Sequence, residues 1–82
     1  MNISEVLDNC KVNAKPSKKQ PAVQIIAVKY TDGEYGVVVK KIDKYKVPVH
    51  WETLEEKKYM EKRIALAWYA KIVEEWKKGK QQ

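Results

Sequence analysis

Apolar residues near the start of the chain recur with the spacing of one helix face. Counted from the first of them they stand at i, i+3, i+4 and i+7, the pattern of an amphipathic helix. The four residues are Ile3, Val6, Leu7 and Cys10. Asn2, or alternatively Ser4, is a suitable N-cap, and Glu5 stands three residues after Asn2 as in a capping box. The pattern therefore predicts a short helix over residues 1–12, which must dock on the rest of the protein to be stable.

A two-residue alternation, typical of strands, replaces this spacing in residues 22–42. Two β-rich runs flank a loop that contains Asp32-Gly33, and Asp-Gly between such runs favours a two-residue type I′ turn. The opposed pairs on one side of the hairpin are then Tyr30 with Tyr35, Val28 with Val37, and Ile26 with Val39. This register gives the hairpin one wholly apolar face, whereas a slip of one residue mixes the two faces. Turn residues and alternation thus predict the same hairpin.

A third short strand is predicted before residue 50. Tyr45, Val47 and Val49 alternate there with other residues, as expected for a half-buried strand. Pro48 lacks the backbone N–H that a ladder needs, so this strand belongs at a sheet edge. Its register against the hairpin stays open.

The last part of the chain has the pattern of a long helix. Thr53, with Glu56 three residues later, forms a capping box, and Gly79 stands where a glycine commonly ends a helix. Large apolar residues recur through it at every fourth position: Met60, Ile64, Trp68, Ile72 and Trp76. We therefore predict a helix over residues 53–78.

This helix has a wider apolar surface than a two- or three-stranded sheet can cover. The N-terminal helix, a second copy of the chain in a homodimer, or a different protein could cover the rest. If a second copy of the chain or a different protein covers the helix, the anchoring residues are Trp68, Tyr69 and Trp76, since aromatic residues dominate interfaces. If the helix is fully packed, the same three residues belong to the core.

These elements assign the protein to the α+β class. The predicted order is a short helix over 1–12, a basic linker over 13–21, two to three antiparallel strands over 22–50, and a long helix over 53–78 packed on the sheet. A chain of 82 residues has room for one small core. We therefore expect residues 1–82 to form a single domain.

Positive charge is concentrated in the middle of the chain. Seventeen lysines and arginines against eleven carboxylates give a formal net charge of +6, and the excess lies in residues 11–50. The lysines that we assign to a nucleic-acid-binding surface are Lys15, Lys18, Lys19, Lys29, Lys40, Lys44 and Lys46. Arg63 is the single arginine, although arginine is the residue best suited to bidentate recognition of phosphate or guanine. The composition favours diffuse contact with a polyanion over base-specific recognition.

Motifs for catalysis and metal binding are missing from the sequence. Cys10 and His50 are the single cysteine and the single histidine, which leaves no intramolecular disulfide and no Cys/His zinc set. We expect a non-enzymatic protein without metal or cofactor. The N-terminus lacks the pattern of a signal peptide, and no apolar run approaches about 18 residues. We therefore also expect a cytoplasmic protein that has no membrane partner.

Two functions are compatible with these patterns. The first is a small binding protein whose basic surface contacts nucleic acid or another polyanion. The second is a protein-binding adaptor or inhibitor, of the kind common among viral and plasmid accessory proteins. It would act through the aromatic C-terminal helix or a sheet edge, as a monomer or a homodimer. We place the first ahead because lysines and tyrosines are interleaved in the middle of the chain.

Overall fold

Four antiparallel strands and one helix make up the part of the chain that the structure describes. The structure is a computed structural model, and it describes residues 3–14, 21–43 and 50–79. The elements are β1 (Ile3–Val12), β2 (Val23–Tyr30), β3 (Tyr35–Asp43), β4 (His50–Tyr59) and α1 (Lys62–Lys77). The strands lie in the order β1-β2-β3-β4, and α1 packs on one face of the sheet. The α+β class is confirmed, with four strands in the sheet.

The predicted N-terminal helix is wrong, because residues 3–12 form the edge strand β1. β1 pairs with β2, and its register shifts at two points in its first half. Each shift inserts an extra residue, so the two-residue alternation of a strand acquires a spacing that resembles a helix. Leu7 and Cys10 both pack toward α1, although their odd spacing would place them on opposite faces of a regular strand.

The β2–β3 hairpin is present, but the predicted two-residue turn is wrong. Gly33 donates its N–H to the Tyr30 carbonyl over 3.0 Å, and Tyr30 donates to the Glu34 carbonyl over 2.8 Å. The loop between them therefore has three residues. Gly33 has a φ of 89°, the left-handed conformation that closes such a loop with a bulge. The register moves by one residue, and Val28 pairs with Gly36.

Both faces of the hairpin are apolar, which is why alternation alone does not determine the register. The side toward α1 carries Val23, Ile25, Ala27, Val37 and Val39. The opposite side carries Val28, Tyr30 and Val38, with Ile26 packed against them. A slip of one residue on one strand still opposes apolar residues to apolar residues. The conformation of the turn therefore determines the register of the hairpin.

β4 takes the place of the first part of the predicted C-terminal helix. Residues 50–59 pair with β3, so Thr53 lies in an edge strand and caps no helix. The helix begins at Lys62. Leu54 and Tyr59 pack toward α1, and the rest of β4 is largely charged. Because β3 would otherwise have unpaired backbone groups along one side, strand pairing overrides the local helix pattern.

Two predicted segments fall outside the described residues. Most of the predicted linker lies in residues 15–20, and the alternation from Tyr45 to Val49 lies in residues 44–49. The edge position of Pro48 therefore stays a prediction.

α1 buries one side against the sheet. Its buried residues are Ala65, Tyr69, Ile72 and Trp76, which share one helix face. The apolar residues at every fourth position divide: Ile72 and Trp76 are buried, whereas Ile64 and Trp68 are 39% and 41% exposed. Residues that complete the core at its margins are Leu7, Cys10, Leu54, Tyr59, Leu66 and Val73.

The C-terminal end of α1 matches the prediction. Gly79 has a φ of 92° and donates its N–H to the Trp76 carbonyl over 3.1 Å, as a glycine does at a helix end. Lys78 Nζ lies 2.8 Å from Glu74 Oε1, an i,i+4 ion pair. These contacts depend on neighbours within one or two turns of the helix, and the local sequence is sufficient to indicate them.

Candidate functional site

The two ends of the sheet are connected differently. At one end, which we call the turn end, the three-residue loop joins β2 to β3. At the other, the connection end, β1 finishes at Val12 and β2 starts at Val23, while β3 finishes at Asp43 and β4 starts at His50. Because neighbouring strands are antiparallel, these four strand ends lie at the same end of the sheet. The chain leaves and re-enters the sheet twice there.

Both passages of chain that attach to the connection end are rich in lysine. Residues 11–22 contain four lysines and no carboxylate, and residues 40–49 contain four lysines and one aspartate. Five of these lysines lie outside the described residues: Lys15, Lys18, Lys19, Lys44 and Lys46. The loop at the turn end, by contrast, contains Asp32, and Glu34 follows it. The positive excess of the sequence therefore belongs to the segments that attach to one end of the sheet.

We call the face of the sheet that α1 does not cover the helix-free face. A row of polar side chains crosses this face near the connection end. Its members are cross-strand neighbours in β1, β2, β3 and β4: Lys11, Gln24, Lys40 and Thr53. The row faces away from α1. Ile25, which follows Gln24 on β2, and Val39, which precedes Lys40 on β3, both face α1, and successive side chains of a strand point to opposite faces. Two strand spacings separate Lys11 from Lys40, which places their Cα atoms about 10 Å apart. We call this set the lysine row.

The turn end carries a group of charged side chains around Lys58. The Lys58 Nζ atom lies 2.8 Å from Asp32 Oδ2 and 2.8 Å from Glu34 Oε2. The hydrogen bond from Lys58 lowers the pKa of the Asp32 carboxyl, and hydrogen bonds to both carboxylates raise the pKa of Lys58. This ammonium group is thus held by carboxylates at the end of the sheet away from the lysine row.

Tyr30 links three strands on the helix-free face. Its ring lies over Gly36 of β3, where an added Cβ would come within 2.6 Å of Tyr30 Cε2. Its hydroxyl donates a 2.6 Å hydrogen bond to Glu56 Oε2 of β4. Burial, and after it the hydrogen bond to Glu56, raises the pKa of the Tyr30 hydroxyl well above its ordinary value. Because the ring is fully buried, it has a structural role and cannot stack on a nucleic-acid base.

The structure describes two of the seven lysines assigned to nucleic acid, and it does not bring them together. Lys40 belongs to the lysine row. Lys29 pairs with Tyr35 beside the turn, its Nζ atom 5.9 Å from the centre of that ring, and alternation places it on the α1 side. Lys11 is absent from the predicted set, since a helix over residues 1–12 gives it no relation to Lys40. The β-branched residues Ile3, Val6 and Val12 are the signal that favours a strand there.

The three aromatic residues assigned to partner binding divide between the core and the surface. Tyr69 and Trp76 are buried against the sheet. Burial, with an added contribution from the Asp8 carboxylate, raises the pKa of Tyr69 to about 12. Trp68 is 41% exposed, and Lys71 Nζ lies 4.6 Å from the centre of its ring. Of the three, Trp68 is the one that another molecule can reach.

Neither a metal-binding cluster nor a membrane-spanning helix occurs in the described residues. Within 3–14, 21–43 and 50–79, no three His, Cys, Asp or Glu side chains come together in a way that could hold a metal ion. The helix in the same ranges is not long and apolar enough to cross a membrane. Cys10 is half-buried at the margin of the core.

Comparisons with known proteins add no constraint on function. No protein-family model, curated protein or solved structure matches the chain. The function is therefore argued from the lysine-rich connection end and the lysine row.

Proposed function

We propose that this protein is a non-enzymatic binding protein that contacts nucleic acid, or another polyanion of spaced phosphates, through the connection end of its sheet. The observation that carries the proposal is the strand topology, because both lysine-rich passages, 11–22 and 40–49, attach to that end. Lysines that neutralise phosphates release the counterions condensed on the polyanion, and this release supplies affinity.

The lysine row supplies a path for the phosphate backbone. Lys11 and Lys40 provide two cations about 10 Å apart on one face of the sheet, and Gln24 and Thr53 provide neutral hydrogen-bonding groups between and beside them. At the turn end, Asp32 and Glu34 share the ammonium group of Lys58. Two carboxylates against one cation disfavour a polyanion there, so the contact is confined to the half of the face near the connection end.

Recognition by lysine implies little selectivity among bases. The Tyr30 side chain is buried by its contacts with β3 and β4, so its ring is not available for a base to stack on. The face of α1 that carries Tyr69 and Trp76 is buried against the sheet and cannot enter a groove. We therefore expect contacts with phosphates, which position a protein on nucleic acid without reading its sequence.

Fluorescence anisotropy with labelled duplex and single-stranded DNA tests the proposal. The protein should bind at about 50 mM salt, and the logarithm of its affinity should fall linearly with the logarithm of salt concentration, by about 0.9 per phosphate neutralised on duplex. The double substitution Lys11→Glu and Lys40→Glu should weaken binding by about tenfold or more and lower this slope by about 2. Absence of binding at about 50 mM salt would refute the proposal.

A matched control separates the lysine row from net charge. Lys57→Glu combined with Lys62→Glu lowers the net charge by the same amount, at exposed positions on β4 and α1 that lie outside the row. This control should keep the affinity within about twofold of the wild type. If both double variants lose the same affinity, the protein attracts DNA by its total charge and the lysine row is not the site.

A further inference from the structure

Ile26 lies on the helix-free face directly beside the lysine row. Cross-strand pairing places it opposite Asn9 of β1 and Val38 of β3, one row nearer the turn end. Lys11 and Lys40 are its diagonal neighbours, at about 7–8 Å between Cα atoms. The apolar residues around Ile26 bury its side chain only in part. The face therefore has apolar surface next to its two cations.

Two exposed side chains of β1 extend this apolar surface. Asn9 pairs with Ile26 and Val6 pairs with Val28, so all four face the same side of the sheet. Val6 is 53% exposed. Among the described residues, the Asn9 side chain has no hydrogen-bond partner, so its amide can donate and accept toward a ligand.

The cations beside this surface are available to an anion. Within the part of the chain that the structure describes, neither Lys11 nor Lys40 forms an ion pair. Glu56 stands at the β4 end of the row that contains Ile26, where it accepts the hydrogen bond from Tyr30. A ligand of the lysine row therefore meets a carboxylate toward β4, and apolar and amide groups toward β1.

The width of the sheet keeps this face out of the grooves of a duplex. Three strand spacings separate β1 from β4, about 14 Å before side chains are added. The major groove of B-DNA is about 12 Å wide. A duplex can therefore meet the face only with its phosphates, and Ile26 and Val6 would remain uncovered.

We propose that the helix-free face selects single-stranded over double-stranded nucleic acid, with phosphates on Lys11 and Lys40 and an unpaired base on Ile26 and Val6. This inference rests on the polyanion contact proposed above and names its ligand. An unpaired base has a flat face that apolar side chains can cover, and the Asn9 amide can hydrogen-bond to its edge. Aliphatic side chains accept any base, so the contact adds affinity without sequence selectivity.

Fluorescence anisotropy with three ligands of equal length tests the preference. The ligands are a single strand of about 12 nucleotides, the same strand annealed to its complement, and an abasic strand with the same backbone. Because a duplex has the denser counterion atmosphere, a contact with phosphates alone should not favour the single strand. We expect the single strand to bind at least about fivefold more tightly than either of the other two.

The single strand is measured both as DNA and as RNA, since phosphates and unpaired bases are common to both. Tighter binding of either form than of its duplex supports the proposal. Equal binding of single strand and duplex, or of the normal and abasic strands, would overturn it and leave the polyanion contact standing. No binding of any ligand at about 50 mM salt would refute the polyanion contact itself.

Substitutions locate the base contact. Ile26→Ser and, separately, Val6→Ser should each weaken single-strand binding by about threefold or more and leave duplex binding within about twofold. Ile64→Ser is the matched control, because Ile64 is 39% exposed on α1, across the sheet from this face, and it should change neither affinity. Far-UV circular dichroism confirms that each variant is folded. Unchanged single-strand affinity in Val6→Ser, the more exposed position, together with unchanged affinity in Asn9→Ala would show that no base lies on this surface.

Discussion

Tyr30 in β2 and Glu56 in β4 are joined by a 2.6 Å hydrogen bond that passes over β3. β4 is an edge strand, and among its described side chains Leu54 and Tyr59 pack on the core. The Tyr30 side chain therefore provides a further attachment for β4, on the face that α1 does not cover.

Tyr30→Phe should lower the free energy of unfolding by about 1 kcal/mol. The ring keeps its place over Gly36, while the hydrogen bond to a charged group is lost. Such bonds contribute about 1.5–3 kcal/mol, and we expect a value below this range because Glu56 is exposed to water. Urea denaturation measures the difference. Tyr35→Phe is the control and should change stability by less than about 0.5 kcal/mol, and a Tyr30→Phe protein as stable as this control would show that the bond contributes nothing.

Gly36→Ala should be more damaging, at about 2–3 kcal/mol. The added Cβ would lie 2.6 Å from Tyr30 Cε2 and 2.8 Å from the Lys57 carbonyl oxygen, so the ring or the strand must move. Part of this cost should disappear in a Tyr30→Ala background, by at least about 1 kcal/mol in a double-mutant cycle. Additive effects would mean that the ring does not lie over this glycine.

Trp76→Ala and Trp68→Ala should differ widely in their effect on stability. Trp76 is fully buried in the core, and emptying such a site costs about 3–5 kcal/mol. Trp68 is 41% exposed, and its loss should cost about 1 kcal/mol or less, including the contact with Lys71. Chemical denaturation of the two variants gives the comparison. A loss for Trp68→Ala as large as that for Trp76→Ala would place Trp68 in the core.

Stability should fall in alkaline solution. Burial raises the pKa of Tyr69 from 10.0 to about 12, so the folded protein keeps a proton that the unfolded chain releases. The contribution is complete below the unfolded pKa of 10.0 and is lost as the pH rises through about 12. The pKa of Tyr30 is shifted in the same direction. Denaturation midpoints measured from about pH 9 upward should decline, and Tyr69→Phe should make this decline shallower; an unchanged decline would contradict the assignment to Tyr69.

Local contacts of this fold can be predicted from the sequence, whereas contacts between distant segments cannot. The end of α1 at Gly79 and the presence of a hairpin around Gly33 follow from residues that are close in the chain, although the predicted loop length and register of that hairpin are wrong. β1 has a spacing that its two bulges make helix-like, and bulges depend on the partner strand. Thr53 and Glu56 match a capping box, yet the need of β3 for a backbone partner outweighs that local preference.

The candidate surfaces show the same division. Charge counting is enough to single out the lysine-rich segments of residues 11–50, but the relation of Lys11 to Lys40 requires the register of three strands. Trp68 and Tyr69 are adjacent in the sequence and point about 100° apart on the helix. Which of them is buried depends on where the sheet lies, and the periodicity of α1 does not contain that information.

Both outer strands of the sheet resist the addition of a fifth strand. β1 has two bulges along its length, and five of the ten residues of β4 are charged. Bulges and charged side chains are the means by which edge strands avoid pairing with another chain. Copies of this protein are therefore hindered from merging into a continuous sheet, and at high concentration the margins of the sheet should not promote fibrous aggregation.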